Sequence, residues 1–199
     1  MNALWLTLTV LLWGVAHSVL ASIEAKEWAR RALGDVVMRY YRFGYNIFSV
    51  ASFIPILWLM VLLPNRVLYQ IPFPWVLLSS VGQVAAVVLL VVGVLQTDTL
   101  SFVGLRQLFE GDERPSHLVT RGLYRWVRHP LYTAGLLFIW LTPIMSQNSL
   151  VITIAATVYI NVGAIFEERK LKREFGAAYV EYKAVTPMLV PGLHFGRNK

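Results

Sequence analysis

Three groups of polar residues interrupt an otherwise apolar chain of 199 residues. A polar side chain in apolar surroundings costs free energy to bury, so it is the first place to look for function. The first group is His17-Ser18, where an imidazole could exchange a proton near neutral pH. The second is the long loop Thr97–His129, which ends in the run Ser116–Tyr132 with its Arg128-His129-Pro130-Leu131-Tyr132. Proline suits the first turn of a helix, where its missing N–H would be unpaired in any case. Arg128 and His129 therefore fall at a helix N-terminus, whose backbone N–H groups and dipole favour an anion. Two cationic side chains there oppose the helix unless an anionic ligand group, such as a carboxylate, lies between them. The plainer alternative is that Arg125 and Arg128 are topology signals touching lipid phosphates. The third group is Glu167-Glu168, followed by a charged run from Arg169 to Glu174. Tyr159, Gly163 and Glu167 recur every fourth residue and share one helix face. Gly163 lets a ligand approach the backbone, and Glu167 could hold a cationic or hydroxyl-bearing group. The competing reading is a small residue for helix packing and a carboxylate paired with Arg169 or a loop arginine.

The elements that must position these residues follow from composition. The chain is 57% hydrophobic and 15% charged, against about 25% charged in soluble domains. That excludes an ordinary soluble enzyme, a disordered chain and a nucleic-acid binder with a wet basic surface. With no cysteine, thiolate metal sites, disulfides and cysteine nucleophiles are excluded, and no metal site is expected. Five apolar stretches run over Ala3–Ser22, Phe43–Leu63, Pro74–Gln96, Leu131–Met145 and Leu150–Phe166. The first three meet the roughly 20 residues a bilayer crossing needs; the last two do so only with their polar flanks. Only Ser146-Gln147-Asn148-Ser149 separates these two, which predicts a tight helical hairpin. With five spans, every Lys and Arg except Arg66 falls on one face, which makes that face cytoplasmic and puts the N-terminus outside. The first stretch lacks the preceding positive charge of a signal peptide and is read as a span. Glu24–Arg39 reads as a short interfacial helix with Trp28 and basic residues in the headgroup zone. The expected fold is an all-α integral membrane protein of the cytoplasmic membrane. It has five transmembrane helices and an amphipathic C-terminal helix in the cytoplasm. Residues 1–96 form a three-helix scaffold and 97–192 the functional core, and the bilayer is the chain's partner.

Two blocks carry a resemblance. Leu118-Val119-x-x-Gly122-x-Tyr124-x-x-x-Arg128-His129-Pro130-x-Tyr132 is similar to the signature of the isoprenylcysteine carboxyl methyltransferase-like superfamily of integral membrane methyltransferases. So is Glu167-Glu168-x-x-Leu171-x-x-x-Phe175-Gly176-x-x-Tyr179-x-x-Tyr182, with Pro187 and Pro191 after it. The blocks stand in the superfamily's order and cover about residues 97–192. The resemblance implies S-adenosylmethionine as cofactor, bound on the cytoplasmic side. It implies that His117, Leu118, Val119 and Tyr124 line the cofactor, that His129, Pro130 and Tyr132 continue the wall, and that Glu167 contacts it. Arg128 and His129 would meet its carboxylate. One departure matters. The prenylcysteine enzymes carry an arginine one turn before the first glutamate, where this chain has Gly163. Phe102-Val103-Gly104-Leu105-Arg106-Gln107, Tyr159-Ile160-x-x-Gly163 and His17-Ser18 are more similar to a bacterial branch that includes methanethiol S-methyltransferases.

The implied reaction is in-line methyl transfer to S, O or N of a small or lipophilic acceptor, in which the protein aligns the partners and excludes water. If a general base is needed, the candidates are His17, Tyr159 and His129. Two other classes stay open on sequence alone: a haem-binding isomerase or redox protein with His17 and His129 as axial ligands, and a non-catalytic membrane scaffold.

Overall fold

The computed structural model describes residues 2–97, 105–110 and 117–193. The Phe102-Val103-Gly104 part of the resemblance, and Ser116, lie outside the described residues. The order is α1 (Asn2–Ala21), α2 (Ile23–Leu33), α3 (Asp35–Leu62), β1 (Val67–Gln70), α4 (Trp75–Leu95) and α5 (Leu105–Glu110). A 3-10 turn (Gly122–Arg125), α6 (Pro130–Trp140), β2 (Ile144–Ser146), α7 (Gln147–Phe175) and α8 (Ala177–Val185) follow. β1 and β2 pair as a two-stranded sheet.

Four helices, α1, α3, α4 and α7, are long and apolar enough to cross a membrane. Their apolar side chains are turned outward: Leu12 is 71% exposed, Leu78 68% and Val61 83%. A fold that met water on those faces would lose the hydrophobic term that drives folding, so the chain is a membrane protein. The expected fourth span differs. α6 has only 11 residues, about 16 Å at 1.5 Å per residue, and stops at Trp140. Pro143, three residues further on, explains the stop, because proline donates no N–H and disfavours helical backbone before it. Residues 141–146, including β2, then join α6 to α7, in place of a direct helical hairpin. The interfacial helix also ends earlier than expected. Ser22 caps α2, its Oγ accepting the Ala25 N–H at 3.1 Å, and Gly34 at φ +80° breaks the chain before α3. Arg39 and Arg42 therefore belong to the first turns of α3.

The chain divides into two compact units. Of the described residues the first comprises 2–68, 105–110 and 146–155. In it α1 and α3 bury Leu6 and Ile56 and exchange side-chain hydrogen bonds. The Tyr41 hydroxyl donates to the Leu20 carbonyl at 2.7 Å, and Trp13 Nε1 donates to Ser52 Oγ at 2.9 Å. Asn148, 2% exposed, ties the start of α7 to the end of α3, donating to the carbonyls of Met60 (3.1 Å) and Leu63 (3.2 Å).

Of the described residues the second unit comprises 69–97, 117–145 and 156–193. Here α6 packs on α4 through glycines. A Cβ at Gly82 would lie 2.7 Å from Leu141 Cδ1, and one at Gly93 2.8 Å from Leu131 Cδ2. The last turn of α6 leaves carbonyls without helical partners, and α4 supplies donors. Ser79 Oγ bonds the Leu141 carbonyl, and Gln83 Nε2 bonds that of Phe138 at 3.0 Å.

Candidate functional site

The second unit assembles most of the chemistry-bearing residues. Pro130 opens α6, as its missing N–H favours, and is buried. The two residues before it are held by the segment that follows α8. The Arg128 N–H donates to the Pro187 carbonyl at 2.9 Å and the His129 N–H to the Met188 carbonyl at 3.1 Å. Thr133 Oγ adds a bond to the Leu189 carbonyl at 2.6 Å. The Tyr182 hydroxyl reaches the Tyr124 carbonyl at 2.5 Å, which fixes the 3-10 turn. The tyrosines of the second sequence block thus anchor the first block.

Arg128 is not open to a ligand. Its side chain is 8% exposed, its Nε donates to Glu168 Oε1 at 2.6 Å, a terminal nitrogen also meets that oxygen, and the other bonds the Thr186 carbonyl. Glu168 is 7% exposed, and its second oxygen accepts from Lys183 Nζ at 2.5 Å. The carboxylate expected between Arg128 and His129 is supplied by the chain itself. Sequence reading noted Glu168 without giving it this role, and it missed Lys183 and the Thr186 carbonyl. The available signal was Arg128 itself: a cation at a helix N-terminus needs an anion, and the second sequence block offers two.

The neighbouring carboxylate is the open one. Adjacent helical residues point about 100° apart, so Glu167 turns away from Arg128 and its side chain is 43% exposed. Glu167 Oε2 accepts from the Tyr132 hydroxyl at 2.8 Å and lies 3.6 Å from His129 Nδ1. The His129 ring is 5% exposed and stacks on Tyr132 with centroids 5.3 Å apart. Its Nε2 is buried, has no hydrogen-bond partner among the described residues and lies 3.6 Å from Glu168 Oε1. The ring is therefore flanked by both carboxylates. Tyr124 also feels Glu167: burial, then the Glu167 charge, raises its hydroxyl pKa to about 12. Burial does the same to Tyr179, to about 12, with the Glu168 charge adding and Arg128 opposing. Both phenols stay protonated at physiological pH.

Leu118 and Val119 line a cleft of about 520 Å³ together with Gln96, Thr120, Arg121 and Gly122, within the roughly 300–1,000 Å³ of small-molecule sites. Gln96 was not foreseen. Its Oε1 accepts the Leu123 N–H at 2.8 Å, and its side chain lies where a Cβ on Gly122 would stand. Gly122 is at φ +62°, so a side chain there would be strained twice over. His117 is exposed just before the cleft. Tyr159 is half-buried on α7, two turns before Glu167. Among the described residues, the helix's own backbone aside, nothing lies within 4 Å of a Cβ placed on Gly163, so the face they share has open space there.

His17 belongs to the first unit, and both its ring nitrogens are engaged. Nε2 lies 2.6 Å from the Tyr45 hydroxyl and Nδ1 3.0 Å from Ser49 Oγ. Among the described residues no group of three or more His, Asp or Glu side chains is arranged to hold a metal ion.

Comparison with known proteins places these features in company. Residues 81–178 match the model of the phospholipid methyltransferase family. The chain is 44% identical over 106 residues to methanethiol S-methyltransferase 2 of Bradyrhizobium diazoefficiens, covering 51% of this chain and 40% of that protein. It is 30% identical over 189 residues to methanethiol S-methyltransferase 1 of the same organism, covering 92% and 65%. It is 28% identical over 191 residues to the methanethiol S-methyltransferase of Crocosphaera subtropica, covering 90% and 71%. The chain thus spans 40% and 65% of the two Bradyrhizobium relatives. No solved structure matches it significantly.

Proposed function

We propose that this chain, which belongs to the phospholipid methyltransferase family and to its bacterial branch, transfers a methyl group from S-adenosylmethionine to a small lipophilic acceptor, a thiol in the first instance. The observation that carries the reading is a half-exposed carboxylate, Glu167, bonded to Tyr132 and flanked by the buried His129, in the unit that also holds the cleft over residues 118–122.

The residues present fit the cofactor. Glu167 would hold its ammonium group or ribose hydroxyls, the half-buried Tyr132 and Tyr124 would offer aromatic walls, and Leu118 and Val119 would offer apolar ones. His129 Nε2 faces Glu168 inside the closed ionic cluster, so the half-exposed Glu167 is the charged group left to meet a ligand. Pro130 keeps His129 and Tyr132 in register, and Arg128 acts through Glu168 as a positioning residue. His117 would close the cleft from its exposed end. When bound, the sulfonium supplies an activated methyl and a good leaving group. The protein then has to align the acceptor, exclude water and take up the acceptor's proton. Tyr159 and the open space at Gly163 would face the acceptor. His129, between two carboxylates, serves orientation rather than proton uptake, which leaves Tyr159 or, for an acceptor held in the first unit, His17 for the latter.

The core we propose lies within residues 97–192, with 1–96 as scaffold and Gln96 at the join, in the cytoplasmic membrane with the N-terminus outside. α6 extended by residues 141–146 reaches at most about 36 Å, enough for a hydrocarbon core of about 30 Å. Met145 and Ser146 are buried, and non-helical backbone at that depth requires such cover. The family's name and those of its relatives favour a methyl acceptor over the haem reading, and His17 already spends both ring nitrogens on hydrogen bonds.

The test is methyl incorporation by membranes given labelled S-adenosylmethionine and a panel of short thiols, prenylcysteines and lipid amines. The expected result is transfer to the thiols. Transfer to none would overturn the reading, and a Soret band in the purified protein would replace it with the haem alternative. Cysteine placed at Thr120 should react with an impermeant maleimide only in inverted vesicles, and cysteine at Gln70 only in intact cells.

A further inference from the structure

Within the first unit, α3 carries Tyr45, Ser49 and Ser52 at spacings of four and three, a polar stripe on an apolar helix. Their hydrogen bonds have a fixed direction. The Ser49 hydroxyl donates to the Tyr45 carbonyl at 2.8 Å, so its Oγ accepts from His17 Nδ1–H at 3.0 Å. His17 Nε2 is then the acceptor for the Tyr45 O–H at 2.6 Å. Trp13 stacks on His17 with ring centroids 4.8 Å apart and is itself held by Ser52, so the imidazole has little freedom to turn. Next to this chain lies a groove of about 300 Å³, lined by Leu20, Val37, Tyr41, Gly44, Tyr45 and Phe48 among others. The Tyr41 hydroxyl is used by the Leu20 carbonyl. Of the other two phenols on the wall, Tyr40 and Tyr45, it is Tyr45 that is backed by the imidazole of His17. A phenolic oxygen accepts as well as donates, and a groove of this size holds a small molecule only.

We infer that this groove binds a small apolar molecule carrying one weakly acidic S–H or O–H, with that hydrogen donated to the Tyr45 oxygen and His17 placed to receive a proton through it. The relay balances. As the ligand's X–H bond breaks, an O–H forms on Tyr45, the former Tyr45 proton bonds to His17 Nε2, and an ion pair of X⁻ and imidazolium results. Ser49 keeps hold of Nδ1–H throughout. The choice of a thiol as probe rests on the function proposed above; the site itself does not require that cofactor.

The experiment uses the full chain in lipid nanodiscs with ¹⁵N-labelled histidine, the His17 resonances being assigned by His17→Gln. Titration with 1-butanethiol should move the His17 ring resonances in a saturable way. Butyl methyl sulfide, with a similar shape but no S–H, should not. Tyr45→Phe should raise the half-saturating concentration about tenfold, the value of one hydrogen bond of about 1.4 kcal/mol. Gly44→Leu covers the case where Tyr45→Phe perturbs folding. Among the described residues a Cβ at Gly44 meets nothing within 4 Å, so a side chain can start into the groove there, and the change should block the titration while leaving the unliganded His17 signals in place. Glu167→Ala should leave the His17 response intact, which separates a failure here from a failure of the cofactor site. No saturable shift, an equal shift with the sulfide, or an unaltered titration in both groove variants would overturn the inference.

Discussion

The two polar clusters of this chain solve the same problem in opposite ways. In the second unit the buried groups are ions: Arg128 and Glu168 are each less than a tenth exposed and are completed by Lys183 and the Thr186 carbonyl. In the first unit the polar groups are half-buried and uncharged: His17, Tyr45 and Ser49 pass hydrogen bonds from one to the next and back to the main chain. A buried ion must be matched by several partners, and removing one leaves an uncompensated charge. A neutral hydrogen-bonded chain costs far less to expose or to rearrange. The ionic cluster is therefore suited to holding backbone in place, and the neutral one to handling a proton beside an apolar groove.

The sharpest way to break this contrast is Glu168→Ala, which strands Arg128. It should cost about 3–5 kcal/mol of stability, seen as a large fall in the unfolding midpoint of detergent-solubilised protein. Its neighbour gives the matching control. Glu167→Ala should leave the midpoint close to wild type and weaken cofactor binding by about 1.5–3 kcal/mol, measured by titration calorimetry. In the neutral cluster, Ser49→Ala removes the acceptor of His17 Nδ1–H and should cost about 1 kcal/mol in thermal unfolding. The smallest effect belongs to Lys183→Ala. That side chain is 52% exposed, so its share of the ionic cluster is under about 1 kcal/mol and should shrink further in high salt. If Lys183→Ala were as damaging as Glu168→Ala, or Ser49→Ala more so, the contrast between the clusters would fail.

The legible parts of the sequence were those governed by hydropathy and by proline. The apolar runs Ala3–Ser22 and Pro74–Gln96 fall within two residues of α1 and α4 at each end, because no charged residue competes there. Pro130 marked the start of α6 for a steric reason that holds in any context. The end of α6 was not legible from hydropathy, since Leu131–Met145 stays apolar past the point where Pro143 stops the helix. The start of α3 was hidden for the converse reason. Its first turns carry Arg39 and Arg42, which read as a connection, although helical backbone tolerates arginine well. Similarly, α7 runs on unbroken through the charged residues up to Phe175. Which of two adjacent glutamates faces inward is a matter of helix rotation that spacing alone does not settle. The partners of His17 did leave a signal, the polar stripe Tyr45, Ser49 and Ser52 on one face of an apolar helix.

The most direct measurement is calorimetric titration of the purified wild-type chain and its Glu167→Ala variant with S-adenosylmethionine. The account predicts saturable binding at one site per chain, weakened at least tenfold by loss of the Glu167 carboxylate. Equal binding by both proteins, or none by the wild type, would contradict it.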